Sequence, residues 1–167
     1  MTIKNPKICL KIEQLSQILT TLGWQVACAE SCTGGWVAKL FTDLAGSSNW
    51  FERGYVTYSN RAKQEMLGVS EQSLNEFGAV SEAVVKEMAM GACQQANTEV
   101  SLAISGIAGP TGGSDDKPVG LVWFAWCING RVETHSEVFA GDRDAVRQQA
   151  VVTAIEKLLD NLIEVNV

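Results

Sequence analysis

The chain contains one histidine, His135, which narrows the hydrolytic repertoire at once. Ser-His-Asp and Cys-His arrangements both need an imidazole beside the nucleophile. Here the single imidazole lies in Val132-Glu133-Thr134-His135-Ser136-Glu137-Val138, where strand alternation puts it on the face of Glu133 and Glu137, read as solvated. The five cysteines, Cys9, Cys28, Cys32, Cys93 and Cys127, are odd in number and contain no CxxC pair. A disulfide framework is thereby disfavoured and a reducing compartment expected. With so little histidine, zinc has no ligand set, and neither metal nor cofactor is expected. Lys and Arg form no cluster, and 13 basic against 19 acidic residues leave a net charge of −6. Such a surface suits neither nucleic acid nor an anionic membrane. No apolar run approaches the roughly 18 residues of a membrane span, and the opening MTIKNPKICLK lacks a signal-type apolar core. These absences together predict a cytoplasmic protein.

What is present reads as one globular domain over residues 1–167, with 46% apolar residues. Ile8, Ile12, Leu15, Ile18, Leu19 and Leu22 recur at helical spacing, so a helix is predicted over 8–22, ended by Gly23. A strand over 25–29 and a helix over 34–44 follow. A loop over 45–49 then leads through Trp50 and Phe51, read as exposed aromatics, into a strand over 54–58. A short helix over 61–67 closes at Gly68, and a longer one over 81–97 begins at the cap Ser81. The run 100–105 is continuously apolar around Leu102, Ala103 and Ile104, as in a strand covered on both faces. After a Gly/Pro-rich loop over 106–118, strands over 119–128 and 131–139 flank Asn129-Gly130, a strong hairpin signal. A last helix runs from near 142 to about 163. This order predicts an α/β fold, a layered α/β/α sandwich with a mixed sheet including one antiparallel hairpin.

Reactive groups of open α/β sheets gather in loops beyond the strand carboxyl ends. Three such loops are predicted, over 30–35, 59–63 and 105–117. In Ala29-Glu30-Ser31-Cys32-Thr33-Gly34-Gly35, either Ser31 or Cys32 would stand on a strand-to-helix corner as a nucleophile. The same residues also suit a Gly-rich turn with a helix cap, and the GxSxG elbow is absent. Without histidine, a base at neutral pH is a lysine or a carboxylate. Lys63, one turn beyond Tyr58, would serve if burial lowered its pKa from ~10.4 by about 3 units. It reads equally as a surface lysine. The loop Ser105-Gly106-Ile107-Ala108-Gly109-Pro110-Thr111-Gly112-Gly113-Ser114 matches neither GxxxxGK[ST] nor a helix-opening GxGxxG. Its glycines, Gly106 and Gly109 among them, allow close backbone approach to an anionic or planar ligand. Arg143 and Arg147 share a helical face and suit either a phosphate clamp or pairing with nearby acids.

Taken together, the segments 29–35, 45–69, 78–89, 105–125 and 141–150 (AESCTGG, AGSSNWFERGYVTYSNRAKQEMLGV, GAVSEAVVKEMA, SGIAGPTGGSDDKPVGLVWFA and GDRDAVRQQA) resemble one family. It is the nicotinamide-nucleotide amidases, also known as the CinA C-terminal domain. The resemblance implies hydrolysis of nicotinamide mononucleotide to nicotinate mononucleotide and ammonia by a Ser/Lys mechanism. Carried onto this chain, it assigns Ser31 as nucleophile, with Lys63 and Tyr58 as its proton-handling partners. Residues expected around the substrate are Thr33, Gly34 and Gly35 at the corner, together with Ser47, Ser48, Gly106, Gly109, Arg143 and Arg147 toward the phosphate. A small-molecule substrate and a homodimer are the expected partners.

Overall fold

A computed structural model describes residues 6–165. Helix α1 (Pro6–Leu22) ends at Gly23, whose φ of +66° is a conformation that side-chain-bearing residues rarely adopt. Strand β1 (Val26–Glu30) then enters the centre of the sheet, buried at every position. That explains its unbroken apolar run, since a strand covered on both faces has no reason to alternate. Helix α2 (Trp36–Asp43) and a single 3₁₀ turn (Ser47–Asn49) return the chain to β2 (Phe51–Val56). Helices α3 (Asn60–Leu67), α4 (Glu71–Phe77) and α5 (Glu82–Ala96) precede β3 (Val100–Gly106). The hairpin β4 (Leu121–Ile128) and β5 (Arg131–Val138) turns on Asn129 and Gly130 at φ +49° and +79°, the pair of positive values that a tight hairpin requires. Helix α6 (Arg143–Val165) closes the fold.

The strand order is β2-β1-β3-β4-β5, with β1 parallel to β2 and β3, and β4 antiparallel to both neighbours. One apolar cluster joins α1, α2 and α6 to one sheet face; a second joins α3, α4 and α5 to the other. This is the layered α/β/α sandwich expected. Gly91 lets α5 touch the end of α3, because an added Cβ would fall 1.9 Å from Leu67 O. No helix among the described residues is long and apolar enough to cross a membrane.

Three local expectations are corrected. Strand β2 covers 51–56 rather than 54–58, so Tyr58 lies beyond it. Pairing to β1 explains the shift, since Val26 N donates to Trp50 O at 2.8 Å and draws in the chain from Phe51 onward. Helix α4 had no counterpart in the sequence reading. It is too short for a clear period and is set by its Ser70 cap, whose Oγ accepts from Ser73 N at 3.1 Å. Trp50 is 2% exposed and packs edge-on to Phe41, so it offers no aromatic surface for an interface. His135 sits half-exposed on the edge strand, stacked on Phe124 and 3.7 Å from Glu137.

Candidate active site

The carboxyl end of β1 turns sharply at residues 31–35, and Ser31 is its first residue. The Ser31 amide donates to Ile104 O at 3.0 Å, pinning the corner to β3. On the opposite wall, Ser59 caps α3 by accepting from Ala62 N at 3.0 Å. The Lys63 side chain leaves the first turn of that helix and runs inward. Its Nζ donates to Thr57 O at 2.9 Å and lies 3.1 Å from Ser31 Oγ. Lys63 is 1% exposed and Ser31 8%. Burial disfavours the ammonium and pushes the lysine pKa below its ordinary value, with the Cys32 thiol a lesser, opposing influence. Cys32 itself is pushed up to about 11 by burial, so it is a protonated thiol at neutral pH.

Ser31 and Lys63 open onto a cleft of about 250 Å³, also lined by Tyr58, Ser105, Gly106 and Arg143. Gly106 belongs there by necessity, as a Cβ would meet Val122 Cγ2 at 2.7 Å and Leu121 O at 2.9 Å. The Tyr58 ring is largely exposed, and its hydroxyl accepts from Arg143 Nη2 at 3.1 Å rather than bonding Lys63. The other arm of that guanidinium donates to Gly109 O at 2.9 Å, tying the Gly-rich loop to the start of α6. Asn60, Ala79 and Val80 also line the cleft and were not anticipated. They lie within the segments 45–69 and 78–89 that carry the family resemblance, but no chemistry of their own singled them out.

The remaining expected residues lie elsewhere. Ser47 and Ser48 do not reach the cleft: they precede β2, which runs parallel to β1, so they stand at the amino end of the sheet. Ser31 stands at the carboxyl end, a β1 length away, or roughly 16 Å. Thr33, Gly34 and Gly35 line a different hollow of about 300 Å³, behind the corner, with Trp36, Lys39 and Arg147. Arg147 is also redirected. Its Nε donates to Cys32 O at 3.0 Å and its Nη2 to Thr33 O at 3.1 Å, and the guanidinium lies 5.3 Å from the Trp36 ring centroid.

Glu30, passed over in the sequence, supports the corner. Its carboxylate is fully buried and accepts from Gly35 N and Val37 N at 3.1 Å and from Ala38 N at 3.0 Å. It therefore caps α2 from outside, while the formal cap Gly35 offers no side chain. An acid at a strand end, four residues before a Gly-Gly helix start, was the available signal.

The five-stranded fold that carries this site has known counterparts. The chain belongs to the CinA C-terminal domain family, which it matches over residues 11–162. It is 56% identical over 153 residues to the nicotinamide-nucleotide amidohydrolase PncC of Escherichia coli (strain K12), spanning 91% of this chain and 93% of that one. A protein of the same name from Pseudomonas putida is 49% identical over 146 residues, 87% of this chain and 91% of the other. Among solved structures, the competence/damage inducible protein CihA from Agrobacterium tumefaciens superposes with a TM-score of 0.91 at 42% identity, covering 96% of this chain and 98% of its own.

Proposed function

We propose that this chain hydrolyses the carboxamide of nicotinamide mononucleotide, giving nicotinate mononucleotide and ammonia, within pyridine-nucleotide recycling. The observation that carries the chemistry is the 3.1 Å approach of Lys63 Nζ to Ser31 Oγ in a cleft that desolvates the amine. The relatives' names supply the substrate class. Neutral Lys63 takes the Ser31 proton as Oγ attacks the carboxamide carbon, and the carbonyl oxygen becomes an oxyanion. Lys63 then returns the proton to the departing ammonia, leaving a nicotinyl ester on Ser31. Water, deprotonated by the same amine, cleaves that ester. Tyr58 and Arg143, bonded to each other at the cleft wall, are assigned to the outer part of the substrate: Tyr58 as an accessory proton carrier and Arg143 toward the phosphate.

Ammonia release from nicotinamide mononucleotide is the test, comparing wild type with Ser31→Ala and Cys32→Ala. Wild type and Cys32→Ala are expected to release ammonia, and Ser31→Ala none. Loss with Cys32→Ala alone would move the nucleophile to the thiol. A silent, folded wild type would remove the amidase reading.

A further inference from the structure

The 31–35 corner is a wall between two hollows, with Ser31 and Cys32 facing the Lys63 cleft and Thr33 to Gly35 facing the Arg147 side. Its amides are unequally engaged. Those of Ser31, Gly34 and Gly35 donate to Ile104 O, Ser31 O and the Glu30 carboxylate. Among the described residues, the Cys32 and Thr33 amides donate to no backbone or carboxylate oxygen. A trans peptide points its C=O and N–H in opposite directions. Arg147 Nε holds Cys32 O, so the N–H of that same peptide, which belongs to Thr33, points away from Arg147. Ser31 and Cys32 line the Lys63 cleft, whose lining does not include Arg147.

We propose that Arg147 is a positioning residue. By gripping the Cys32 and Thr33 carbonyls it turns the Thr33 N–H, beside that of Cys32, toward the oxyanion formed at Ser31, and it does not bind the substrate phosphate. The proposal rests on the serine amidase reading above. The guanidinium is already engaged at this corner. Two donors are spent on carbonyls, one face lies against Trp36, and Asp144 Oδ1 stands 4.0 Å from Nη1. A cation on the carbonyl oxygen also polarises the peptide and strengthens its N–H as a donor. Glu30 fixes the other end of the corner through the first amides of α2, so the Cys32–Thr33 segment is held between a carboxylate and a guanidinium. Donors aimed in advance at developing charge are the groups whose loss lowers kcat rather than raising KM.

The experiment compares wild type, Arg147→Met and Arg147→Lys on nicotinamide mononucleotide and on nicotinamide riboside, which lacks the phosphate, with thermal melts to verify folding. The proposal expects Arg147→Met to lose kcat on the order of 10²-fold. The loss should be equal for both substrates, with the mononucleotide KM unchanged and a smaller deficit in Arg147→Lys. A raised KM confined to the mononucleotide would make Arg147 a phosphate ligand and overturn the proposal, as would an unchanged kcat. Should Arg147→Met fail to fold, Arg147→Lys carries the same comparison. Should wild type release no ammonia from either substrate, the amidase reading falls separately. Acylation of Ser31 by p-nitrophenyl acetate then decides, because its oxyanion needs the same donors: slower acylation in the variants supports the proposal and equal rates overturn it.

Discussion

Glu30 and Lys63 are both withdrawn from solvent, at 0% and 1% exposure, and both border the same corner, yet their surroundings differ in kind. The Glu30 carboxylate meets the backbone amides of Gly35, Val37 and Ala38 and the Cys28 thiol, at the positive end of a helix. Its charge is solvated by the fold. The Lys63 amine meets a hydroxyl and one carbonyl, and burial shifts it toward the neutral form. Equal burial thus gives a structural ion on one side and an available base on the other. The difference lies in how many oriented partners the backbone supplies to each charge.

The strongest test of this contrast is Lys63→Met. Removal of a general base is expected to lower kcat/KM by about 10²- to 10⁴-fold, and full activity from about pH 6 to pH 9 would refute the lysine-base scheme. Stability should move the other way. Lys63 has a lowered pKa in the folded chain, so between the folded and the ordinary value the unfolded chain binds the extra proton, and burial of the lysine costs stability on the acid side of that window. The cost is complete below the folded pKa and disappears as pH rises to the ordinary lysine value of 10.5. Urea melts should therefore find Lys63→Met more stable than wild type at pH 7, with the gap closing at alkaline pH.

Glu30→Gln probes the opposite side. A neutral amide has one acceptor oxygen, so an α2 amide loses its partner and stability falls by about 1–3 kcal/mol. A variant as stable as wild type in urea would dissolve the contrast. The smallest effect is reserved for Cys32→Ala. A thiol whose pKa is raised to about 11 is protonated at neutral pH and contributes no nucleophile, so kcat should stay within about twofold of wild type. Ammonia release at pH 7 would show a larger fall if the thiol takes part.

The sandwich was legible where signals are local. The α1 period, the β1 and β3 apolar runs and the Asn129-Gly130 turn each report on near neighbours in sequence. Strand β2 was misplaced by three residues at its start because its limits depend on register with β1. In the candidate site, residue chemistry nominated Ser31, Cys32, Lys63 and Tyr58, and the family resemblance chose among them. The meeting of Ser31 and Lys63 spans 32 positions, and no local pattern could announce it. Ser47 and Ser48 lie away from the Ser31 cleft for a topological reason: a crossover helix carries them to the far end of the sheet.

By itself, the sequence determined the kinds of element, the absence of a histidine-based triad and the reactive groups on offer, because these follow from residue type and short-range spacing. Tertiary structure decided what each group does. It withdrew Lys63 almost wholly from bulk solvent, pointed Tyr58 at Arg143, and brought Arg147 from 115 positions away to grip the corner. Desolvation and peptide orientation are properties of packed neighbours, and the neighbours at this corner come from β1, β3, α2, α3 and α6, which meet only once the sheet has formed.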